Sequence, residues 1–289
     1  MRHAALLLLG LSLVAGSAQA NEAGENWLKQ VNTRSAGFVY NGTVVFTAGP
    51  ELSVIRISQS LQEGRLQQTF VTLTGKPQTL ITARGVVQRE RANGPPEYLE
   101  SPLAVGSLQR LDLAQIRGSY EIVLGNSDRV AGRPVRQVRF EPADSFRYVR
   151  HAWIDNETGL ALRSAISASG QVLEQMIFAD LQLSGMANAA APDAPSLPEA
   201  GSWPGTVAPG YALKAMVGGS AHRHWVFSDG LSAISVFAEA DTENAVAEQW
   251  QRGATQGISR SFGGMRWTVL GDAPVSALEA FLPNADPTP

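Results

Sequence analysis

The feature that most constrains this chain is a long succession of short segments rich in β-branched and aromatic residues, each closed by a turn. Gly42–Thr47, Leu52–Ser58, Leu66–Thr74, Gln78–Thr82 and Gly85–Arg89 form a first series, bounded by Gly, Pro, Asn or Glu-Gly. Tyr120–Leu124, Arg133–Glu141, Phe146–Asp155, Ala161–Ala168 and Gln171–Leu183 form a second, with turns at Asp155–Gly159 and Ser169-Gly170. Such spacing predicts antiparallel meanders, because Asn and Gly tolerate the positive φ of tight hairpins. Ile55 and Ile57 alternate with Val54, Arg56 and Ser58, so one sheet face is expected dry and the other wet. Trp27–Val31 reads as a helical turn or two. Between the series, Pro95-Pro96 breaks any ladder, and Leu103, Leu108, Leu111, Leu113 and Ile116 suggest a short helical or irregular cover.

Beyond Ser184 the composition turns to Ala, Pro, Ser and Gly. Residues 184–205 read as a semi-extended linker that divides a large domain, 21–183, from a small one, 206–289. Within the small part, His224–Phe227 and Leu231–Glu239 flank the hairpin signal Ser228-Asp229-Gly230, and Ile258–Phe262 and Met265–Leu270 flank Gly263-Gly264. Thr242–Gln251 fits a helix with Ala245, Val246, Gln249 and Trp250 on one stripe, and Pro274–Leu282 fits a short closing helix. The two parts also differ in charge. Residues 21–183 carry 17 basic and 16 acidic residues, and residues 184–289 carry 5 and 10.

The chain opens with Met1-Arg2-His3, an apolar run Ala4–Ala15 and Ala18-Gln19-Ala20, the pattern of a secretory signal peptide cleaved after Ala20. A periplasmic address is expected. With no cysteine, disulfides, thiolate metal sites and Cys nucleophiles are excluded. A net charge of -3 argues against a basic nucleic-acid-binding face.

Catalytic motifs are missing as well. There is no Gly-x-Ser-x-Gly elbow and no glycine-rich phosphate cradle. His222-x-His224 offers two imidazoles, with Asp229 the nearest third group, which is short of a usual metal shell. His151 fits a polar strand face better than a general base, and Asp155 and Glu157 fit a turn. Arg129, Arg133, Arg136, Arg139, Arg147 and Arg150 crowd one stretch; the favoured reading is a solvated face paired with Glu121, Asp128, Glu141 and Asp144, ahead of carboxylate or phosphate recognition. No enzyme, cofactor or metal is expected, and no residue is assigned a catalytic role.

Several segments together resemble one family. They are Trp27-Leu28 followed by Gly37–Phe46, then Val130–Val135 and Asp155–Leu160, and after the linker Ala208-Pro209-Gly210-Tyr211, Ser228–Phe237 and Val269–Pro274. In this order they are similar to the RseB/MucB periplasmic regulators of the extracytoplasmic (sigma-E, AlgU) stress response. The family favours Leu-Pro-x-Gly-Phe where this chain has Ala208 and Tyr211. The resemblance implies an α+β protein: a large LolA/LolB-like open antiparallel β-barrel with helical cover, then a smaller α/β domain. It implies negative regulation by binding the periplasmic domain of an RseA/MucA-like anti-sigma factor, shielding it from site-1 proteolysis, with release on lipid or lipopolysaccharide signals. A periplasmic lipid or lipoprotein carrier is the alternative, and homo-oligomerisation is left open. Candidates for a lipid cavity are Val44, Phe46, Ile55, Ile57, Phe70, Leu73, Leu103 and Leu108. Candidates for partner contact are Trp203, Tyr211, Arg223, Trp225 and Phe237, since aromatic residues and Arg are favoured anchors.

Overall fold

The computed structural model describes residues 21–31, 37–75, 79–83, 86–89, 97–99, 111, 113–187, 203–218, 222–241 and 246–283. The two predicted meanders are present. β1 (Phe38–Ala48), β2 (Glu51–Gln62), β3 (Arg65–Thr72), β4 (Thr79–Ala83), β5 (Val86–Arg89) and β6 (Glu97–Leu99) make the first; β7 (Tyr120–Val130), β8 (Arg133–Pro142), β9 (Val149–Asp155), β10 (Ala161–Ala168) and β11 (Gln171–Met186) make the second. They fuse because β1 pairs antiparallel with β11, from Phe38 opposite Met186 to Ala48 opposite Glu174. The result is one eleven-stranded sheet in the order β6-β5-β4-β3-β2-β1-β11-β10-β9-β8-β7.

Turn chemistry sets the hairpins. Glu63-Gly64, Ala131-Gly132 and Ser169-Gly170 all lie at positive φ, the backbone that a right-twisted two-residue hairpin requires. At the β9–β10 turn, Asp155 Oδ1 accepts the N–H groups of Glu157 at 2.8 Å and Thr158 at 3.0 Å, as expected of an Asp at a turn.

The sheet is not a closed barrel, since its order ends on β6 and β7 rather than joining them. The helical cover is also smaller than expected. Among the described residues it consists of residues 21–31 (α1) and the four-residue α2 (Leu113–Ile116). Leu28 and Val31 of α1 and Ile116 of α2 pack on Ile122, Val138, Phe140, Ala152 and Ile154. Gly24 permits this approach: a Cβ there would stand 2.5 Å from the Ile122 carbonyl oxygen. Residues 100–110, which include Leu103 and Leu108, lie outside the described residues.

A second sheet has six strands: β12 (Ala212–Gly218), β13 (His222–Ser228), β14 (Ala233–Ala240), β15 (Glu248–Arg252), β16 (Thr255–Phe262) and β17 (Met265–Gly271), in the order β12-β13-β14-β17-β16-β15. Every pair is antiparallel, and the one described helix is α3 (Val275–Glu279), so the α/β expectation is replaced by an antiparallel sheet backed by a short helix. Trp225, Phe227, Ile234, Val236, Ile258 and Val269 face Ala277, Leu278 and Phe281.

The helix expected over Thr242–Gln251 is also overturned, because residues 248–251 belong to strand β15. The reason is cross-strand. Trp250 pairs with Gly257, and a Cβ on Gly257 would stand 2.3–2.5 Å from the indole, so the ring covers a bare stretch of β16. All five β15 residues are exposed, so the apolar stripe that suggested a helix has no core to face.

The large sheet's dry side should dominate its stability. Phe178 is 2 % exposed and meets Tyr40 edge-on at 6.2 Å. Phe178→Ala is expected to cost about 3–5 kcal/mol, read as a lowered urea midpoint.

Candidate functional site

Two features of the described residues have chemical consequences: the apolar face of the first sheet, and a buried ionic seam where the two sheets meet. On the apolar face, register places Val44 beside Ile55 and Phe178, and Ile57 beside Phe70. Val44, Ile55, Ile57 and Phe70 are buried in one cluster with Tyr40, Leu162, Met176 and Phe178, and Phe46 packs against it. These five lipid-cavity candidates therefore share one surface. Leu73 departs from them: it lies beyond the end of β3 and is 44 % exposed, because the strand has already ended in a turn.

Within this apolar cluster lies a polar chain that the sequence did not announce. Gln68 Nε2 donates to the Tyr40 hydroxyl at 3.0 Å and to Gln59 Oε1 at 2.9 Å, and Gln59 Nε2 donates to the Phe38 carbonyl at 2.7 Å. Burial is the main cause that pushes the Tyr40 phenol well above its usual pKa, so it stays protonated.

The seam is built from residues read as a solvated arginine face, and here the structure corrects the sequence reading. Arg147, whose side chain is fully buried, donates through Nε to Asp229 Oδ2 at 2.7 Å; its other nitrogens reach Asp144 and the Pro209 carbonyl. Asp229 also accepts the Tyr120 hydroxyl at 2.9 Å and the N–H groups of Leu231 and Ser232 at 2.9 and 2.7 Å. Alongside, Arg150 donates to Asp272 Oδ2 at 2.7 Å and to its carbonyl at 3.0 Å. Asp272 Oδ1 in turn accepts Ser232 Oγ at 2.8 Å and Ala233 N–H at 3.0 Å. Both carboxylates thus follow strand ends of the second sheet and bind arginines of the first domain, Arg147 in the loop between β8 and β9 and Arg150 in β9.

Burial opposes the charge on Arg147 and on Arg150, yet the facing carboxylates hold both above the ordinary arginine pKa. Burial first, and the Asp229 charge with it, raises the Tyr120 and Tyr211 phenols, so Tyr120 remains a donor. Arg147 also lies 4.9 Å from the Tyr211 ring centroid. The approach of Gly210 is equally tight. A Cβ there would fall 2.4 Å from Ser119 Oγ and 2.5 Å from an Arg147 nitrogen.

The other arginines divide. Arg133 pairs with Asp155 and Glu157, and Arg139 with Glu141 at 2.9 Å, as a paired polar face would. His151 Nε2 meets Ser167 Oγ at 2.9 Å, and His224 stacks on Phe237 at 4.1 Å with Nε2 3.0 Å from Ser235 Oγ. Among the described residues no group of three or more His, Asp or Glu is placed to hold a metal.

The partner-contact candidates do not form one surface. Trp225 is 1 % exposed and Tyr211 is buried, so both belong to the small core. Trp203 is half-buried and packs edge-on against Trp225 and Phe227, each at 5.1 Å. Phe237 is half-buried beneath His224, and Arg223 is exposed. Aromatic residues alone do not separate anchors from core.

Removing one member of a fully buried ion pair strands the other charge. Arg147→Ala is therefore expected to cost about 3–5 kcal/mol in urea denaturation. Arg147→Met combined with Asp229→Asn, which keeps the acceptor for Leu231 and Ser232, should cost clearly less than Arg147→Met alone. Equal losses would show that the charge pair is not what holds the seam.

Residues 23–199 match the MucB/RseB N-terminal domain and residues 211–285 the MucB/RseB C-terminal domain. The sigma-E factor regulatory protein RseB of Haemophilus influenzae is 27% identical, with 93% of each chain covered. The sigma factor AlgU regulatory protein MucB of Pseudomonas aeruginosa is 26% identical, with 96% of each covered. Among solved structures, the Pseudomonas aeruginosa MucA/MucB complex gives a TM-score of 0.68 at 21% identity, covering 91% of this chain and 100% of that one. Both halves match in order and along nearly the whole length, and the chain belongs to the MucB/RseB family.

Proposed function

We propose that this chain is an exported, non-enzymatic regulator that binds the periplasmic domain of an RseA/MucA-like anti-sigma factor, shields it from site-1 proteolysis and releases it when lipid or lipopolysaccharide binds. The observation that carries this reading is the match of both domains to named sigma factor regulatory proteins, joined to a fold like that of MucB solved in complex with MucA(peri). The N-terminal pattern ending at Ala20 supports a periplasmic location, and no helix among the described residues is long and apolar enough to cross a membrane. Residues 21–183 are the lipid-sensing domain and 206–289 the anti-sigma-binding domain. The linker expected over 184–205 is shorter than that, since 184–186 finish β11 and Trp203 packs on the small core; residues 188–202 lie outside the described residues.

The shared apolar surface of Val44, Phe46, Ile55, Ile57 and Phe70 supports acyl-chain binding. Driving a partner from almost fully bound to almost fully free requires a preference of about 5.5 kcal/mol for the released state. Burial of one 14-carbon acyl chain, with a membrane partition constant of about 10⁴ M⁻¹, supplies a similar amount if it goes to one state only. A lipid bound equally by both states would move nothing.

The test is protease protection. The purified protein should retain the periplasmic segment of the anti-sigma factor on a column and slow its cleavage, and lipopolysaccharide should restore cleavage. Truncation after Gly205 should abolish retention. Cleavage that is unchanged in the presence of the full chain would overturn the masking role, and lipid transfer that persists in the truncated chain would favour a carrier.

A further inference from the structure

Next to the ionic seam lies a second contact between the sheets. The turn joining β15 to β16 carries Gly253 and Ala254 onto the first sheet. Ala254 is fully buried and packs with Tyr148 and Ile166, flanked by Ala168 and Leu173. Gly253 has φ +59, and a Cβ there would stand 2.7 Å from Ala48 Cβ, 3.0 Å from its Cα and 3.2 Å from the Leu173 carbonyl oxygen. Only a glycine seats this turn. Gln256, just beyond it, donates to the Tyr148 hydroxyl, and Arg252, just before it, pairs with Glu51.

One half-buried carboxyl lies at this contact. Glu174 of β11 is opposite Ala48 of β1 and Ile166 of β10, the residues against which the turn packs, and it accepts the Ala254 backbone N–H. The charges acting on it come from three elements: Arg150 of β9, Asp272 at the end of β17, and Arg252 of β15. Both favourable cations already have a carboxylate partner, Asp272 for Arg150 and Glu51 for Arg252.

We propose that the β15–β16 turn and Glu174 form a proton-linked latch between the two domains, in which docking of the turn takes up a proton on Glu174 and loss of that proton loosens the joint. Burial, and after it the Asp272 charge, pushes the Glu174 carboxyl up to about 7; Arg150, the Ala254 N–H and Arg252 oppose the rise without cancelling it. The sign follows from linkage. A carboxyl with a raised pKa when docked favours docking fully below its free value of 4.5, and that contribution fades as pH climbs to about 7. The docking equilibrium should weaken by up to roughly tenfold per pH unit across that window and then level off. The arginines of the seam keep their charge throughout, so they hold the domains while Glu174 trims the grip. This inference is independent of the identity of the bound partner.

The chain has no cysteine, which makes the test direct. Ser127→Cys and Ala240→Cys, at exposed positions of the two sheets, accept a dye pair for single-molecule energy transfer in the full processed chain. The docked fraction should fall from pH 5 to pH 7.5 and stay constant above. Glu174→Gln should remove the pH dependence, and Gly253→Ala should lower the docked fraction at every pH. A docked fraction that is flat or rises from pH 5 to 7.5, or a Glu174→Gln chain with the parent's pH profile, would overturn the latch. Carbon-detected NMR of the Glu174 carboxyl in the unmutated chain gives a second reading: a midpoint near 7 supports it, and one near 4.5 overturns it.

Discussion

The arrangement of the two sheets rests on two arginine–aspartate pairs taken out of water. Each ion costs several kcal/mol to bury, and attraction offsets this only when the remaining hydrogen-bonding positions are filled. On the carboxylates they are filled here, as Asp229 accepts from Arg147, Tyr120, Leu231 and Ser232, and Asp272 from Arg150, Ser232 and Ala233, while Arg150 Nε is buried without a hydrogen-bond partner. A greasy interface would tolerate sliding. This one specifies an orientation, because donors and acceptors must meet within tenths of an ångström. The small apolar contact of Ala254 with Tyr148 and Ile166 adds area but little directional demand.

Strands and hairpins were legible in the sequence, since alternation and turn residues act locally. Ile55 and Ile57 are buried and Arg56 is exposed, as their spacing requires, and Ser169-Gly170 adopts the predicted turn. What was not legible depended on distant partners. Arg147 and Asp229 are 82 positions apart, and little beside either one distinguishes it from a surface charge or a turn aspartate. A weak hint was present: Arg147 sits between Phe146 and Tyr148, an unusual setting for a solvated cation. The helix expected over Thr242–Gln251 failed for the same reason, because the preference of Trp250 for a bare glycine across the ladder does not show in a helical wheel.

Site residues followed the same division. Val44, Phe46, Ile55, Ile57 and Phe70 came together because period-two alternation fixes which face a strand residue takes. Tyr211 and Trp225 were misplaced because exposure cannot be read from residue type; both serve the small core, where Tyr211 meets Phe281 edge-on at 5.7 Å. Gln59 and Gln68 escaped notice altogether. On a strand they resemble ordinary wet-face residues, and only the register that sets them beside each other and near Tyr40 explains their burial.

The join between β1 and β11 governs when this protein is able to fold. The first meander emerges early but leaves the flank of β1 unpaired until a strand roughly 140 positions later arrives. Such late, long-range closure is slow, since chain entropy must be lost before contacts reward it. On the export route proposed above, that delay would keep the polypeptide threadable through a narrow pore and let it complete its largest sheet on the far side, once the last strand of the second meander has followed.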